Sequence, residues 1–363
     1  MNAPDQTLSQ MGNYYLLGRS GLRVSPLCLG TMTFGTEWGW GSPKTAAKEI
    51  LSAYVAAGGN FIDTADMYTQ GSSETMLGEL MAEAGNRDRM VVATKFTFNT
   101  KPGDPNGGGN GRKNMMQAIE GSLKRLKTDY IDLYWLHCWD GMTPVEEVMG
   151  TLDAAVRAGK IRHIGLSDTP AWYLSRAQTI AELRGWSSVC ALQLEYSLLE
   201  RNIEKEHVDA ARELGMGICP WSPLGGGMLS GKYQRKAADV TGTGDGRLQH
   251  TIGGPFDRFK ERNWKIVDVL CAVAKEVDRS PAQIALNWAT KRPAVVSTII
   301  GATKMSQLKD NLGALDFEIP KALWNKLESV SRPEMHFPYS FFSAEMRGGI
   351  TGGTQVSARP TWW

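Results

Sequence analysis

The sequence predicts an α/β fold, a single closed, parallel (β/α)8 barrel, because strand-like and helix-like segments alternate eight times along its 363 residues. A doubly wound sheet is the structural alternative, but such sheets usually show a GxGxxG turn after an early strand, and this sequence has none. Four reactive side chains at or just after strand ends also favour the barrel, whose strands all end on one face. We expect one domain over residues 1–363, with the barrel at about 14–330 and a tail at about 331–363.

The elements can be placed in order along the chain. Short apolar runs predict strands at residues 27–30, 60–63, 90–95, 130–137, 161–167, 188–193, 217–222 and 296–301. Amphipathic spacing predicts helices at 43–57, 73–84, 114–126, 145–158, from 170, and at 203–214, 264–278, 280–290 and 303–312.

Local signals mark helix starts and long loops. Ser42 is a candidate N-cap for the first helix, and Ser280 with Gln283 predicts a capping box. Two Gly-rich insertions, at 97–113 and 232–262, leave the C-terminal face of the barrel, and we predict a functional loop for the second.

Composition excludes several classes of function. Lys and Arg total 40 against 38 Asp and Glu, a net charge of +2, which gives no electrostatic case for nucleic acid or an anionic membrane. The polar N-terminus lacks a secretory signal, and no run reaches the roughly 18 apolar residues of a membrane helix. The five cysteines show no CxxC spacing and the five histidines no ligand spacing, so we expect a cytoplasmic protein without a metal site.

Asp63, Tyr68, Lys95 and His137 form the candidate catalytic set. An unperturbed tyrosine has a pKa of about 10, too high for an efficient acid at neutral pH. We expect the Lys95 ammonium to lower the pKa of Tyr68, while Asp63 keeps that ammonium charged and in place. With His137 orienting a substrate oxygen, the set would protonate an alkoxide as it forms from a carbonyl. It contains no hydride, which a cofactor must supply.

Several motifs at the strand ends occur together in one known family. They are residues 61–68, 165–167, 193–196, 221–225 and 300–304, together with Lys95 and His137. On these motifs the chain resembles the aldo-keto reductase superfamily over about residues 14–330, in particular its potassium-channel β-subunit-like and aryl-alcohol-dehydrogenase-like branch. The resemblance implies that Tyr68 is the general acid, that Lys95 and Asp63 tune it, and that His137 positions the carbonyl.

The resemblance also implies a nicotinamide cofactor, with NADPH favoured over NADH. Ser167 and Gln193 would hold the carboxamide, Asp168 takes a position where the family commonly has Asn, and Trp221 would stack on the ring. The other residues assigned to the cofactor are Ser222, Leu224 and Gly225 for the pyrophosphate, Gly30, Thr31 and Met32 beside the nicotinamide, Gly301, Thr303, Lys304 and Gln307 around the 2′-phosphate, and Asn311 at the adenine.

Aromatic side chains follow the first, third and fourth predicted strands and would rim the carbonyl site. They are Phe34, Trp38, Trp40, Phe96 and Trp139. Such a rim favours an aromatic or long-chain carbonyl as the small-molecule substrate.

Other interpretations stay open at this stage. Asp63 and Lys95, taken alone, could equally be a structural ion pair. Residues 221–224 and 230–233 resemble the branch whose members are cofactor-sensing partners of a membrane channel, although His137, where that branch typically has Asn, favours an enzyme. The same residues would also serve an alcohol or sugar dehydrogenase running the reverse reaction, and the sequence leaves a homo-oligomer open.

Overall fold

The computed structural model of the chain describes residues 10–235, 242–243, 248, 254 and 256–354. Eight parallel strands form one sheet in which each strand pairs with the next and the eighth pairs with the first. In chain order they are β1 (Leu27–Gly30), β2 (Phe61–Asp63), β3 (Val91–Phe96), β4 (Ile131–Leu136), β5 (Ile161–Ser167), β6 (Val189–Glu195), β7 (Gly217–Trp221) and β8 (Thr298–Ile300).

The barrel closes between β7 and the segment just before β8, where Ile218 of β7 forms two backbone hydrogen bonds. Its N–H donates to the Ala294 carbonyl at 2.8 Å, and its carbonyl accepts from the Val296 N–H at 2.9 Å. The architecture is therefore the predicted (β/α)8 TIM barrel.

Helices form an outer layer around the strands. They are α1 (Lys44–Ala56), α2 (Ser72–Ala84), α3 (Arg112–Leu126), α4 (Val145–Arg157), α5 (Ala171–Arg184), α6 (His207–Leu214), α7 (Glu261–Val277), α8 (Pro281–Thr290), α9 (Met305–Leu312), α10 (Lys321–Ser331) and α11 (Ala344–Thr351). The predicted capping box at the start of α8 is confirmed, since the Ser280 hydroxyl accepts from the Gln283 N–H at 3.1 Å and the Gln283 side chain accepts from the Ser280 N–H at 3.2 Å.

Two local predictions are wrong. Ser42 does not cap α1: Pro43 is the N-cap residue, and the Ser42 hydroxyl donates to the Thr303 carbonyl at 3.3 Å instead. The predicted helix at 203–214 is broken at Glu206, which leaves a 3-10 turn (Asn202–Lys205) ahead of α6. The break coincides with a contact between the His207 ring and the Thr169 carbonyl at 2.8 Å.

The barrel interior is a packed core and not a channel. Cys28, Phe61, Leu133 and Trp135 are among its fully buried side chains. A Cβ on Gly165 would lie 2.2 Å from the Trp135 ring, so glycine is required there for the indole to fit. With this filled floor, open space for chemistry is confined to the loops above the strand ends.

A short antiparallel hairpin closes the other end of the barrel. It pairs Tyr15–Leu16 with Arg23–Val24. Leu17 and Val24 from this hairpin are fully buried in the same interior cluster as Cys28. Substrate access from that end is therefore blocked by packed apolar side chains.

The chain divides into two compact units, Met1–Ser331 and Arg332–Trp363. The first contains the barrel, and the second begins at Arg332. In the second, a 3-10 turn (Tyr339–Phe342) precedes α11. That the two units form a single domain stays a prediction.

Part of the predicted functional loop at 232–262 lies outside the described residues, as does the end of the tail. In the described part of that loop, Gln234–Arg235 pairs with Gly242–Thr243. Within the portion of the chain that the structure describes, no helix combines the length and apolar character needed to cross a membrane.

Candidate active site

The barrel brings the four predicted catalytic residues together at the C-terminal ends of β2, β3 and β4. Asp63 is the last residue of β2, Lys95 lies in β3, and His137 directly follows β4. Tyr68 opens a turn in which Thr69 and Gln70 have φ of +46° and +57°, a left-handed conformation that non-glycine residues adopt at a cost.

This turn is held in place by the neighbouring loop. The Thr69 hydroxyl is buried and donates to the Phe34 carbonyl at 2.8 Å. Such a bond helps the fold to retain a strained backbone beside Tyr68. Tyr68 therefore has a fixed position above the strand ends.

Lys95 is the centre of the site. Its side chain is fully buried, and its ammonium forms an ion pair with the Asp63 carboxylate. The same nitrogen donates to the Thr64 carbonyl at 2.9 Å and to the Tyr68 hydroxyl oxygen at 3.1 Å. The other Asp63 oxygen accepts from the Gln193 amide at 2.8 Å. All three ammonium donors thus have acceptors, one of which is the phenol oxygen.

The pKa values of Lys95 and Tyr68 are both raised. Burial by itself would lower the pKa of Lys95, but Asp63 and Tyr68 outweigh it, so the ammonium stays charged. For Tyr68, burial raises the pKa above 10 and Lys95 pulls it down by less. The expectation that Lys95 lowers the pKa of Tyr68 is thus correct for that single contribution and wrong for the net direction. Tyr68 is a protonated phenol throughout the physiological range.

His137 faces the Tyr68 ring edge-on, with ring centroids 5.9 Å apart. Its Nδ1 is buried and has no hydrogen-bond partner among the described residues. Burial, and then the nearby Lys95 charge, hold the pKa of His137 well below 6.5. The imidazole is therefore neutral at pH 7, with one ring N–H to donate and one nitrogen to accept.

Ser167 and Gln193 lie on adjacent strands at the same end of the barrel, with Gln193 next to Asp63. The Ser167 hydroxyl is buried and unpaired among the described residues. Buried polar groups are normally hydrogen-bonded, so an unpaired hydroxyl here fits an amide such as the nicotinamide carboxamide.

Asp168 and Trp221 are linked directly. The Trp221 indole N–H donates to the Asp168 carboxylate at 3.0 Å. Asp168 has a φ of +43° and is exposed at the mouth of the barrel. Shielding by the surrounding protein nevertheless raises the pKa of this carboxyl to about 6, with the bond from Trp221 opposing the rise. Trp221 is half-buried, so part of its surface is open for a planar ring to stack on it.

The segment after β7, which is predicted to line the pyrophosphate, forms a tight turn. The Ser222 hydroxyl accepts from the Gly226 N–H at 3.0 Å. Gly225 has a φ of +56°, and a Cβ there would lie 2.6 Å from Leu199, so glycine is needed at this turn. Leu224 packs against the core between them.

The first loop is firmly attached to its neighbour. The Thr31 hydroxyl is fully buried and bonds to the Asp63 carbonyl at 3.1 Å and to Ser73 at 2.9 Å. Gly30 leaves no room for a Cβ, which would lie 2.8 Å from Ile299, and Met32 is half-buried. The Thr31 side chain therefore fixes the ends of β1 and β2, and only Met32 of these three has a partly exposed side chain.

The predicted phosphate-binding residues lie together at the start of α9, but Gln307 has a structural role there. Its side-chain oxygen accepts from the Thr303 N–H at 2.8 Å and the Lys304 N–H at 3.3 Å. Two of the N–H groups expected to face an anion are therefore already paired. Lys304 and Gly301 are exposed beside them, and the Asn311 amide donates to the Gly301 carbonyl at 3.1 Å.

Not every predicted substrate residue lies in the site. Phe34 and Phe96 are fully buried in the layer between barrel and helices, where Phe96 stacks on Tyr134. The Trp38 ring meets the Tyr68 ring edge-on, with centroids 6.3 Å apart. Trp38 also packs against Trp40, with the centroids of these two rings 5.5 Å apart.

Trp139 lies on the rim, and sequence reasoning missed a second rim residue. Trp139 packs against Trp172 in the first turn of α5. Phe98 is exposed, and its ring centroid is 4.8 Å from that of His137. Its place three residues after Lys95, in the predicted insertion, was the available signal. Among the described residues, no group of His, Cys, Asp and Glu is arranged to hold a metal ion.

Comparison with known proteins agrees with this geometry. The chain is 35% identical over 360 residues to an aryl-alcohol dehydrogenase of Pestalotiopsis microspora, which covers 97% of this chain and 90% of the relative. It is 36% identical to the uncharacterized oxidoreductase YrpG of Bacillus subtilis (strain 168), in an alignment that covers 87% of this chain and 95% of the relative. It is 34% identical to the norsolorinic acid reductase stcV of Emericella nidulans, in an alignment that covers 89% of this chain and 82% of the relative.

The family assignment rests on a match across the whole barrel. Residues 26–332 match the Aldo/keto reductase family. This span includes all eight strands and the four residues gathered around Lys95. The chain therefore belongs to the aldo/keto reductase family and is an NAD(P)H-dependent oxidoreductase.

Proposed function

We propose that the protein reduces aldehydes or ketones to alcohols with NADPH, and that Tyr68 is the general acid. The observation that carries this proposal is the direction of the bond between Lys95 and Tyr68. An ammonium can only donate, so the phenol oxygen accepts from Lys95 at 3.1 Å and keeps its own proton for another acceptor. A carbonyl oxygen beside Tyr68 and His137 would be that acceptor.

The residues have distinct tasks in this reaction. Bound nicotinamide supplies the hydride. Tyr68 transfers its proton to the oxygen that becomes negative, and Lys95 stabilises the phenolate that remains. Asp63 keeps Lys95 charged and in place. The neutral His137 donates a hydrogen bond to the same substrate oxygen and orients it.

Cofactor binding would use the residues above the ends of β5, β6 and β7. Ser167 and Gln193 would hold the carboxamide, and Trp221 would stack on the ring. Asp168 keeps the indole in position through its 3.0 Å bond. The preference for NADPH rests on exposed Lys304 and the N-terminus of α9, where a 2′-phosphate would compete with Gln307 for two N–H groups.

The substrate is proposed to be an aryl carbonyl compound. Trp38, Phe98 and the His137 ring surround Tyr68 with aromatic surface. Aromatic rings stack favourably on one another, so an aryl aldehyde would gain affinity there. The names of the relatives include an aryl-alcohol dehydrogenase and a reductase, which supports an aryl substrate in either direction of the reaction.

The direct test is oxidation of NADPH by the purified protein with 4-nitrobenzaldehyde, with NADH in a parallel assay. We expect turnover with kcat/KM for NADPH at least about 10-fold above that for NADH, as a charge-assisted phosphate contact would give. Equal use of both cofactors would contradict the phosphate site near α9 but leave the reductase intact. Tight cofactor binding without turnover of any carbonyl would contradict the reductase itself.

Oxidation of aryl alcohols is the second candidate, favoured by the aryl-alcohol dehydrogenases among the relatives. The same groups perform it in reverse, with Tyr68 first deprotonated to accept the alcohol proton. Because the pKa of Tyr68 is raised, this direction requires higher pH. Oxidation of 4-methoxybenzyl alcohol with NADP+ that rises steeply from pH 7 to 10 would support it.

A further inference from the structure

A second aromatic group lies on the barrel rim, apart from the rings around Tyr68. It consists of Trp139, in the loop after β4, with Trp172 and Tyr173, in the first turn of α5. We call these three side chains the rim cluster. The loop that carries Trp139 and the loop that leads into α5 follow the adjacent strands β4 and β5, whose ends carry His137 and Ser167. The cluster is therefore on the face of the barrel where the proposed reaction takes place.

The two loops are joined by a backbone bond beside the cofactor residues. The Trp139 N–H donates to the Asp168 carbonyl at 3.3 Å, and the Asp168 side chain accepts from the Trp221 indole. Trp139 is two residues from His137, and Trp172 is four residues from Asp168. Along both segments the cluster thus adjoins residues of the proposed reaction and cofactor sites.

The rings of the cluster leave aromatic surface open. Trp139 and Trp172 meet edge-on with centroids 5.5 Å apart, and Trp172 lies 5.7 Å from Tyr173. Trp172 is 56% exposed and Trp139 38%. A cavity of about 250 Å³ lies against all three rings and is bordered by Met142 and Pro144. Its walls combine the aromatic and apolar side chains with Thr143, Glu146 and Arg176, and its volume suits a single aryl ring and not a whole substrate.

The polar groups around this cavity favour a neutral ligand. Glu146 and Arg176 line it but are paired with each other, so their charges cancel. The Tyr173 hydroxyl is buried and has no partner among the described residues. The Asp140 carboxylate beside Trp139 adds a negative charge that disfavours an anionic ligand, and its oxygens already accept from the Met142 and Thr143 N–H groups. An oxygen of a ligand that reached Tyr173 would satisfy its hydroxyl.

We propose that the rim cluster is a second substrate subsite, which binds the distal aryl ring of a carbonyl substrate whose reacting end lies at Tyr68. This inference rests on the proposed reductase function and narrows its substrates to molecules with two aromatic parts. The distal ring lies in the cavity against Trp139 and Trp172. Small benzaldehydes do not reach it, so the cluster affects only extended substrates.

The test compares two aldehydes with the same reacting end, 4-methoxybenzaldehyde and 4-benzyloxybenzaldehyde, in the wild type and in Trp172→Ala. Trp172 is exposed, so its loss leaves the fold intact. We expect Trp172→Ala to lower kcat/KM for the benzyloxy compound about 10-fold, mainly because KM rises. A 10-fold effect is about the size expected when one aromatic contact and its buried area are lost. The methoxy compound should change less than two-fold. Leu183→Ala, at an exposed position of the same helix, is the matched control and should affect neither.

A binding measurement separates failure of this subsite from failure of the reductase proposal. Calorimetric titration of the unreactive 4-benzyloxybenzamide needs no turnover, and we expect its affinity to fall about 10-fold in Trp172→Ala. If the wild type binds it but reduces no aldehyde, the reductase proposal fails while the subsite stands. The subsite proposal is wrong if Trp172→Ala changes kcat/KM for both aldehydes equally or for neither. It is also wrong if the substitution alters only the oligomeric state in gel filtration, a result that would make the cluster an interface between copies.

Discussion

Two groups of charged side chains in this barrel serve different purposes. One is the ion pair of Asp63 with Lys95 at the mouth. The other, which we call the outer ring, consists of Arg201, Glu204, Arg292 and Glu328. It joins the segment after β6 to the segment after α8 and to α10.

In the outer ring, charges and hydrogen bonds are saturated. Each arginine contacts both glutamates, at distances from 2.7 to 3.0 Å. The glutamates also accept from Tyr196 at 2.6 Å and Trp288 at 2.7 Å. Two positive and two negative charges cancel, so the outer ring has no group left to react.

The mouth differs in one respect. Lys95 gives one of its three donors to a phenol, which has a proton of its own. Under the proposed mechanism, an ionic contact supports catalysis when a partner of the cation retains a transferable proton, and otherwise only stabilises the fold. Changes at the mouth should therefore act on turnover, and changes in the outer ring on stability.

The largest expected effect is from Lys95→Met. Without the ammonium, the phenolate of Tyr68 loses its stabilising charge, and kcat should fall by about 10²–10⁴. The change also leaves Asp63 buried without a countercharge, so thermal stability should fall too. The double variant Asp63→Asn with Lys95→Met should recover stability and not turnover. Recovery of both would mean that Lys95 is structural.

Arg292→Met should have the opposite profile. It removes one cation from the outer ring, whose partners are partly exposed, and should cost about 2 kcal/mol of unfolding free energy. We expect kcat to change less than two-fold. Urea denaturation measures the loss of stability, and steady-state assays of the same variant measure kcat. A fall in kcat comparable to that of Lys95→Met would remove the distinction between the two groups.

Asp66→Asn extends the comparison to a third buried group, a carboxyl whose nearby cations, Arg125 and Lys95, lower its pKa by less than burial raises it. One Asp66 oxygen has no partner among the described residues, and burial, followed by Glu74, raises the pKa of Asp66 to about 8. Unfolded Asp titrates near pH 3.9, so between about pH 4 and 8 only the folded state binds this proton, and stability falls as pH rises through that window.

We expect Asp66→Asn to remove this loss, so that its stability relative to the wild type improves by about 4 kcal/mol between pH 5 and pH 8.5, at about 1.4 kcal/mol for each pH unit below a pKa of about 8. Urea denaturation at both pH values measures it. Asp209→Asn, at an exposed position, is the control and should show no such change. An equal pH dependence in Asp66→Asn and the wild type would show that Asp66 is ionised in the folded protein.

The smallest effect is expected from Phe98→Ala. Its ring lies 4.8 Å from His137 but is exposed, so the change should raise KM for an aryl aldehyde about 3- to 10-fold and leave stability nearly unchanged. Phe96→Ala is the matched control in the core: it should cost about 3 kcal/mol of stability. If KM rose in Phe96→Ala but not in Phe98→Ala, the aryl ring of the substrate would not lie against Phe98.

The barrel could be predicted because its strands are buried on both faces and form continuous apolar runs, as β3 does. The sequence could locate Asp63, Lys95 and His137 as candidate residues because these runs end at or beside them. The alternation of side chains along a strand would have excluded Phe96, which must face away from the site when Lys95 faces into it.

The remaining features depend on packing that no local pattern contains. Burial decides the net pKa shift of Tyr68, and it depends on loops from several strands. Ser42 matched an N-cap by type, but the Thr303 carbonyl that it contacts lies 261 residues away. Gln307, in contrast, occupies the third position of α9 and resembles a capping residue, so the sequence alone could have indicated its role.

The most direct test of the account is removal of one hydroxyl, in Tyr68→Phe, with Tyr134→Phe as the control. Both side chains are tyrosines near strand ends, but the Tyr134 hydroxyl is buried behind the barrel without a partner among the described residues. We predict that Tyr68→Phe lowers kcat for aldehyde reduction by about 10²–10⁴ while the Kd for NADPH stays within two-fold, and that Tyr134→Phe changes neither. Undiminished turnover in Tyr68→Phe would contradict the assignment of the general acid.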